Sequence, residues 1–220
     1  MPTRLKILVA GEAMVATAER ALWWEGRQTL LLADLHAGKA GHFRKYGLPL
    51  PGRILETDLA RLDQLIKEFA PRRIVFLGDL FHSETNDEWG ELVEWRRTWP
   101  VIRFVLVRGN HDRFISDEVL QAGGFEVVAE YLDEGPFRFS HAPQVDDKTA
   151  ARYNLAGHLH PAVRIFGRAH TSLRRPCYWF GMKAGVLPAF GLFTGSLTIK
   201  PAPGDTVLVV GEKEILPWRS

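Results

Sequence analysis

Three short aliphatic runs constrain this chain more than any other feature. They read TLLLADLH over 29–36, RRIVFLGDL over 72–80 and RFVLVRGNH over 103–111. Each is apolar without alternation, so both faces of the implied strand are buried, as in a sheet covered on two sides by other layers. Each ends in a polar cluster. Helical patterns separate them. In RILETDLARLDQLIKEFA, apolar residues recur at helical spacing from Ile54 to Phe69 with charges on the other face. DEWGELVEWRRTWP reads as a second helix stopped by Pro100, its tryptophans as packing residues. SDEVLQAGG reads as a short third, capped by Ser116 and stopped by Gly123–Gly124.

After about residue 125 the pattern changes. FEVVAEYL, FRFSHA, YNLAGHLH, AVRIFG, GLFTGSLTIKP and TVLVVGEKEIL follow with turns and no long helix. Alternating strands and helices followed by mostly strands predict an α/β sandwich, its second sheet drawn largely from the C-terminal half. No repeat or linker divides the chain, so residues 1–220 are read as one domain.

Composition excludes some classes of function. Apolar residues make up 46% of the chain and charged residues 25%, which fits neither a disordered nor a membrane protein. No apolar run approaches the ~20 residues of a membrane span. The opening MPTRLKILVAGEAM reads as a first strand rather than a cleaved signal. Cys177 is the only cysteine, which precludes an internal disulfide and suits a reducing cytoplasm. A net charge of +2 does not by itself announce a nucleic-acid binder.

The chemistry stands at the strand ends, where open α/β sheets gather their ligand-binding loops. There the chain places Asp34 and His36; Asp79 and His82; Asn110, His111 and Asp112; His141; and His158 and His160. Within D-x-H and H-x-H, an extended backbone would point residues i and i+2 the same way. Imidazole, carboxylate and amide oxygen without thiolate suit manganese, iron or zinc better than a structural cysteine-type zinc site. Asp34, His36, Asp79, Asn110, His141, His158 and His160 are too many ligands for one ion. Two ions about 3.5–4 Å apart, sharing a carboxylate, account for them.

The ordered set D-x-H, G-D, G-N-H-D, H and G-H-x-H resembles the calcineurin-like metallophosphoesterase superfamily. The resemblance implies a four-layer α/β/β/α sandwich. It assigns Asp34, His36 and His160 to one metal, Asn110, His141 and His158 to the other, and Asp79 to both. Two divalent ions offset by two aspartates and a hydroxide leave about one positive charge, which matches a phosphodiester. Such ions lower the pKa of water toward ~7. His111, beside Asn110 but outside the ligand set, is the expected general acid. Where phosphoprotein phosphatases carry G-D-x-x-D, this chain has GDLFH, similar to the motif of SbcCD-type DNA repair nucleases. That leaves open whether His82 or Asp112 orients His111.

ADLHAGKAGHFRKYGLPLP, GDLFHS, GHLHP and LPAFGLFTG together resemble the ligase-associated DNA-damage-response endonucleases of the PdeM type. This resemblance covers most of the chain. It implies a bacterial, manganese-supported DNA phosphodiesterase, and the expected substrate is single-stranded or structured DNA. The partners it implies are an ATP-dependent DNA ligase, a metallo-β-lactamase-fold exonuclease and a helicase. Lys39, Arg44 and Lys45 follow the first motif and are read as contacts to flanking phosphates, against the alternative of a solvated loop. Arg168, Arg174 and Arg175, with Tyr178 and Trp179, offer a strand cradle against the alternative of a plain basic surface over core aromatics. His42 and His170 default to the surface. Two rival functions stay open: a phosphatase or hydrolase of small nucleotide-type esters, and a non-catalytic scaffold for repair partners.

Overall fold

The computed structural model describes residues 3–39, 54–82, 87–144, 151–167 and 171–218. Two mixed sheets pack face to face. The first has the order β1-β2-β3-β4-β5-β6-β7. Its strands are β1 Arg4–Val9, β2 Glu12–Thr17, β3 Leu22–Trp24, β4 Thr29–Leu32, β5 Arg73–Leu77, β6 Arg103–Val107 and β7 Phe125–Val128. β1 to β4 run antiparallel to their neighbours, and β4 to β7 run parallel. Parallel neighbours need crossovers, and helices supply them. These are α1 Ile54–Phe69, α2 Asp87–Arg97 and α3 Asp117–Ala122. The Ser116 hydroxyl caps α3 by accepting from the Val119 N–H at 3.4 Å.

The second sheet has the path β14-β11-β12-β13-β10-β9-β8, with β15 on β12 and β16 on β15. Its strands are β8 Tyr131–Glu134, β9 Phe137–Ser140, β10 Tyr153–Ala156, β11 Pro161–Phe166, β12 Ser172–Phe180, β13 Ala184–Val186, β14 Leu197–Thr198, β15 Thr206–Val210 and β16 Ile215–Pro217.

Burial of both faces of the central strands follows from this layering. Leu30, Leu32, Ile74, Phe76, Phe104 and Leu106 meet the helices through Leu59, Leu62, Leu65, Ile66, Leu92 and Leu120. Leu31, Val75, Leu77 and Val105 face the second sheet through Phe137, Phe139, Leu155 and Tyr178. The fully buried Tyr178 hydroxyl joins the layers, lying 2.8 Å from both the Thr17 and Ala21 carbonyl oxygens. Trp95 and Trp99 pack against the core and both donate to Asp63, at 2.8 and 3.0 Å.

The α/β sandwich expected from the sequence is what the chain forms. All described helices lie on the first sheet. Among the described residues, the outer face of the second sheet carries no helix; its small cluster of Val163, Cys177, Ile199, Val207 and Val209 is flanked by Trp179 and Trp218. Two strand expectations need correction. FEVVAEYL is not one strand, because β7 ends the first sheet at Val128 and β8 begins the second at Tyr131. In GLFTGSLTIKP only Leu197–Thr198 is strand, because the preceding segment is bonded to the loop after β4. Among the described residues, no helix is long and apolar enough to cross a membrane.

Candidate metal centre

The loops after β4, β5, β6, β9 and β10 converge at one edge of the sandwich. Their backbone is not extended there. Asp34, His36, Asp79, His158 and His160 have φ of 55°, 53°, 47°, 68° and 46°. This left-handed region is disfavoured for residues with a Cβ, at ~1–3 kcal/mol each, and such residues gather at functional sites. The expectation that D-x-H and H-x-H lie on extended segments is therefore corrected. β4 ends at Leu32 and β10 at Ala156, and each candidate ligand turns its backbone to reach the centre.

Hydrogen bonds between loops hold these turns. Asp34 N donates to Gly78 O at 3.1 Å and His36 N to Asp79 O at 2.9 Å. His158 N donates to the Asp34 Oδ2 atom at 2.9 Å, and His111 N to the Asp79 Oδ1 atom at 2.9 Å. From behind, Phe190 N donates to Ala33 O at 2.8 Å and Gly191 N to Asp34 O at 3.1 Å. The C-terminal segment 187–195 is thus part of the site; it is the LPAFGLFTG stretch of the resemblance, to which the sequence alone assigned no site role.

Two donor groups result. Asp34, His36 and His160 form one, and Asp79, His141 and His158 form the other; within each, one ligand atom per residue lies within 4.8 Å of the rest. Carbonyl contacts set the ring tautomers, because a carbonyl only accepts. His160 Nδ1 lies 3.0 Å from Gly195 O, and His141 Nδ1 lies 3.2 Å from Leu77 O. Both rings therefore carry the proton on Nδ1 and turn the Nε2 lone pair inward. His160 Nε2 is 3.3 Å from His36 Nε2 and 3.5 Å from Asp34 Oδ1. His141 Nε2 is 3.0 Å from His158 Nδ1 and 3.5 Å from Asp79 Oδ2. Asp79 Oδ2 is also 3.9 Å from His36 Nε2, so this carboxylate stands between the groups.

These donors fit divalent cations. Asp34 is fully buried, and its Oδ1 has no hydrogen-bond partner among the described residues, nor has His36 Nδ1. A buried carboxylate oxygen left unpaired is costly, and a cation among lone pairs removes that cost. Burial, then Lys39 and the neighbouring imidazoles, push His36 down to about 2, so its ring is neutral and ready to ligate. Burial and His141 likewise lower His158; on His160 burial acts downward but is outweighed by the charge of the adjoining Asp34 carboxylate and by the Gly195 carbonyl, and the net shift is upward.

Residues 28–183 match the model of the calcineurin-like phosphoesterase family. The chain belongs to that family. Among solved structures it is similar to the Pseudomonas putida nuclease MPE, at 33% identity and a TM-score of 0.82 over 98% of this chain and 100% of that one. It is also similar to YfcE, a phosphoesterase from E. coli, at 16% identity and a TM-score of 0.44 over 86% of this chain and 96% of that one, a likeness too distant to carry function. No curated protein matches. Proteins of this family normally bind divalent metals, and the two groups of His and Asp side chains are where this member would hold them.

Beside the phosphoesterase donors stands a third group, His36, His82 and His111. The His82 and His111 rings stack at 4.9 Å and 21°. His111 Nδ1 lies 3.0 Å from the His82 backbone carbonyl, which holds a proton on Nδ1 and turns Nε2 away from that contact. The group that orients His111 is therefore a main-chain oxygen, invisible to a search for acidic side chains. Asp112 does not take that role. Its buried carboxylate accepts from Phe81 N at 3.0 Å and Gly109 N at 2.8 Å, tying the loop after β6 to the loop after β5. Arg108 clamps the same loop, donating to Asp112 O at 2.7 Å and Ile115 O at 2.8 Å.

Asn110 lies between these residues on the surface, and among the described residues no hydrogen bond holds its amide. Lys39 is partly buried beside the donor groups. Burial lowers its ammonium, while Asp79 and Asp34 oppose that shift. Arg44, Lys45, His42, Arg168 and His170 lie outside the described residues. The aromatic half of the expected strand cradle is used elsewhere. Tyr178 is buried between the sheets, and Trp179 Nε1 donates to Asp205 at 2.7 Å.

Proposed function

We propose that this phosphoesterase is a two-cation phosphodiesterase of single-stranded DNA, with manganese as its working metal and endonucleolytic cleavage as its action. The observation that carries the reading is the convergence of two donor groups on Asp79 with His111 at their edge. The nucleic-acid substrate rests on likeness, over the whole length, to a protein named as a nuclease.

In this reading Asp34, His36 and His160 hold one cation, Asn110, His141 and His158 the other, and Asp79 serves both. Bound there, divalent cations would supply Lewis-acid polarisation of a phosphoryl group and a lowered pKa for water. The chain's own residues do the rest. The Gly195 and Leu77 carbonyls keep His160 and His141 in the ligating tautomer. Asp79 Oδ1 accepts the His111 N–H and so fixes the histidine backbone to the shared carboxylate. Protonated His111, aligned by the His82 carbonyl and ring, gives its Nε2 proton to the departing oxygen as the phosphorus–oxygen bond breaks. Lys39 adds a positive charge beside a phosphate approaching the centre.

The test is hydrolysis by the manganese-loaded protein of circular single-stranded DNA, bis(p-nitrophenyl) phosphate and p-nitrophenyl phosphate. Linearisation of the circle and preference for the diester are expected. An uncut circle removes the endonuclease reading, preference for the monoester favours a small-molecule phosphatase, and no turnover of any ester favours a scaffold.

A further inference from the structure

The hairpin β11–β12 is rooted in the metal centre. β11 begins at Pro161, directly after His160, and Leu197 N donates to His160 O at 3.0 Å. Side chains alternate along the hairpin. Val163, Ile165 and Cys177 belong to the apolar cluster on one face. Arg164 and Phe166 therefore share the other face, together with Arg174 and Ser172, their directly opposed partners across the strand pair. Arg164 and Arg174 are both exposed, and Phe166 is 75% exposed.

Two features of this face are unexplained by folding. Like charges directly opposite in an antiparallel pair repel each other, and neither arginine meets a carboxylate among the described residues. Their neighbour Arg175, on the apolar-cluster face, has Glu212 at 3.8 Å. An exposed phenylalanine two residues from Arg164 covers nothing the fold needs. Arg174 is also held in place, donating to Ser196 O at 3.1 Å and lying 3.4 Å from the Ser196 hydroxyl. Ser196 follows Gly195, whose carbonyl meets His160 Nδ1 at 3.0 Å. One arginine of the pair is thus fixed on the rim of the centre, one residue from the group that orients a candidate ligand.

We infer that Arg164, Arg174 and Phe166 form a subsite for the single strand flanking the cleaved phosphate. The inference rests on the nuclease reading and adds to it where the strand leaves the centre. The arginine pair takes a backbone phosphate, which removes the repulsion between them, and Phe166 stacks on an adjoining base. That combination of charge and an aromatic face is how single strands are gripped without regard to sequence. A paired base does not offer its face to Phe166, so the subsite favours single strands over duplex.

The experiment measures binding of a fluorescein-labelled phosphorothioate oligo-dT, which keeps its charge, to the manganese-loaded protein by anisotropy across a salt series. Turnover of bis(p-nitrophenyl) phosphate is followed in parallel. For Arg164→Ala/Arg174→Ala we expect about tenfold weaker binding and a log K against log salt slope shallower by ~0.7, the value for one neutralised phosphate on a single strand. Small-ester turnover should stay at the wild-type rate, which also shows that the variant is folded. Arg164→Lys/Arg174→Lys should recover most of the affinity. Phe166→Ala should weaken binding of oligo-dT about tenfold and leave binding of an abasic strand unchanged. Wild-type affinity and slope in the alanine pair overturn the proposal. Circular single-stranded DNA left uncut by the wild-type protein, with these binding changes intact, would overturn the nuclease reading and leave the subsite standing.

Discussion

Gly109→Ala tests how tightly the centre is built. Gly109 closes the loop after β6 and lies against Asp79, the carboxylate between the two donor groups. A Cβ placed on Gly109 would stand 2.2 Å from Asp79 Oδ1 and 2.3 Å from the Asp79 backbone nitrogen. Contact needs at least ~3.4 Å between such atoms, so something must move by about 1 Å. Neither side gives easily. Asp79 already holds a left-handed backbone at φ 47°, its Oδ1 accepts from His111 N, and its carbonyl accepts from His36 N. The Gly109 N–H is held by Asp112. Overpacking of this kind costs about 1–3 kcal/mol of stability. The larger effect falls on the centre, because displacing a ligand carboxylate and the adjoining His111 together should weaken metal binding ~10–100-fold and turnover by at least ~100-fold. Metal content by mass spectrometry, Tm and diester turnover measure all three. Gly90→Ala is the control: Gly90 lies in α2 with nothing within 4 Å of its would-be Cβ, so alanine should stabilise the protein by ~0.5–1 kcal/mol without touching the metals. Wild-type metal content and turnover in Gly109→Ala would refute the reasoning.

Asp79→Asn should lower metal content at both sites, and loss of one ion alone would contradict a shared ligand. His111→Ala should keep its metal and slow diester hydrolysis by about 10²–10⁴-fold, so a wild-type rate would remove it from proton transfer. Tyr178→Phe should cost about 1–3 kcal/mol in urea unfolding, because the Thr17 and Ala21 carbonyls lose a buried donor, and should leave turnover unchanged. Asp58, buried in α1 beside Arg61, is pushed up by burial from its ordinary 3.8 to about 6. The folded chain therefore holds that proton more tightly than the unfolded one, and its stabilising contribution is full below about pH 4 and lost as pH rises toward 6. Asp58→Asn should flatten that part of the stability-against-pH curve, and an unchanged curve would show that the carboxyl titrates normally.

What the sequence determined by itself was the layering and the set of polar residues at the strand ends. Unbroken aliphatic runs can only sit in a sheet covered on both faces, and the helical period over Ile54–Phe69 can only bury one stripe, so both were legible in the order of residues alone. The order of the motifs likewise placed Asp34, His36, Asp79, His141, His158 and His160 at one edge, because successive parallel strands end on the same side.

What only the tertiary structure decided depends on atoms the sequence does not distinguish. Backbone turns at φ near 50° are imposed on Asp34 and His36 by the neighbouring loop and by residues 190–191, far along the chain. The tautomers of His111, His141 and His160 depend on carbonyl oxygens, which every residue possesses and no motif records. Asp112 looks like a partner for His111 because it is adjacent in sequence, yet the tight turn commits its carboxylate to two backbone N–H groups. Arg164 and Arg174 come face to face only through the register of one hairpin, because a slip of one residue would turn either arginine toward the apolar cluster.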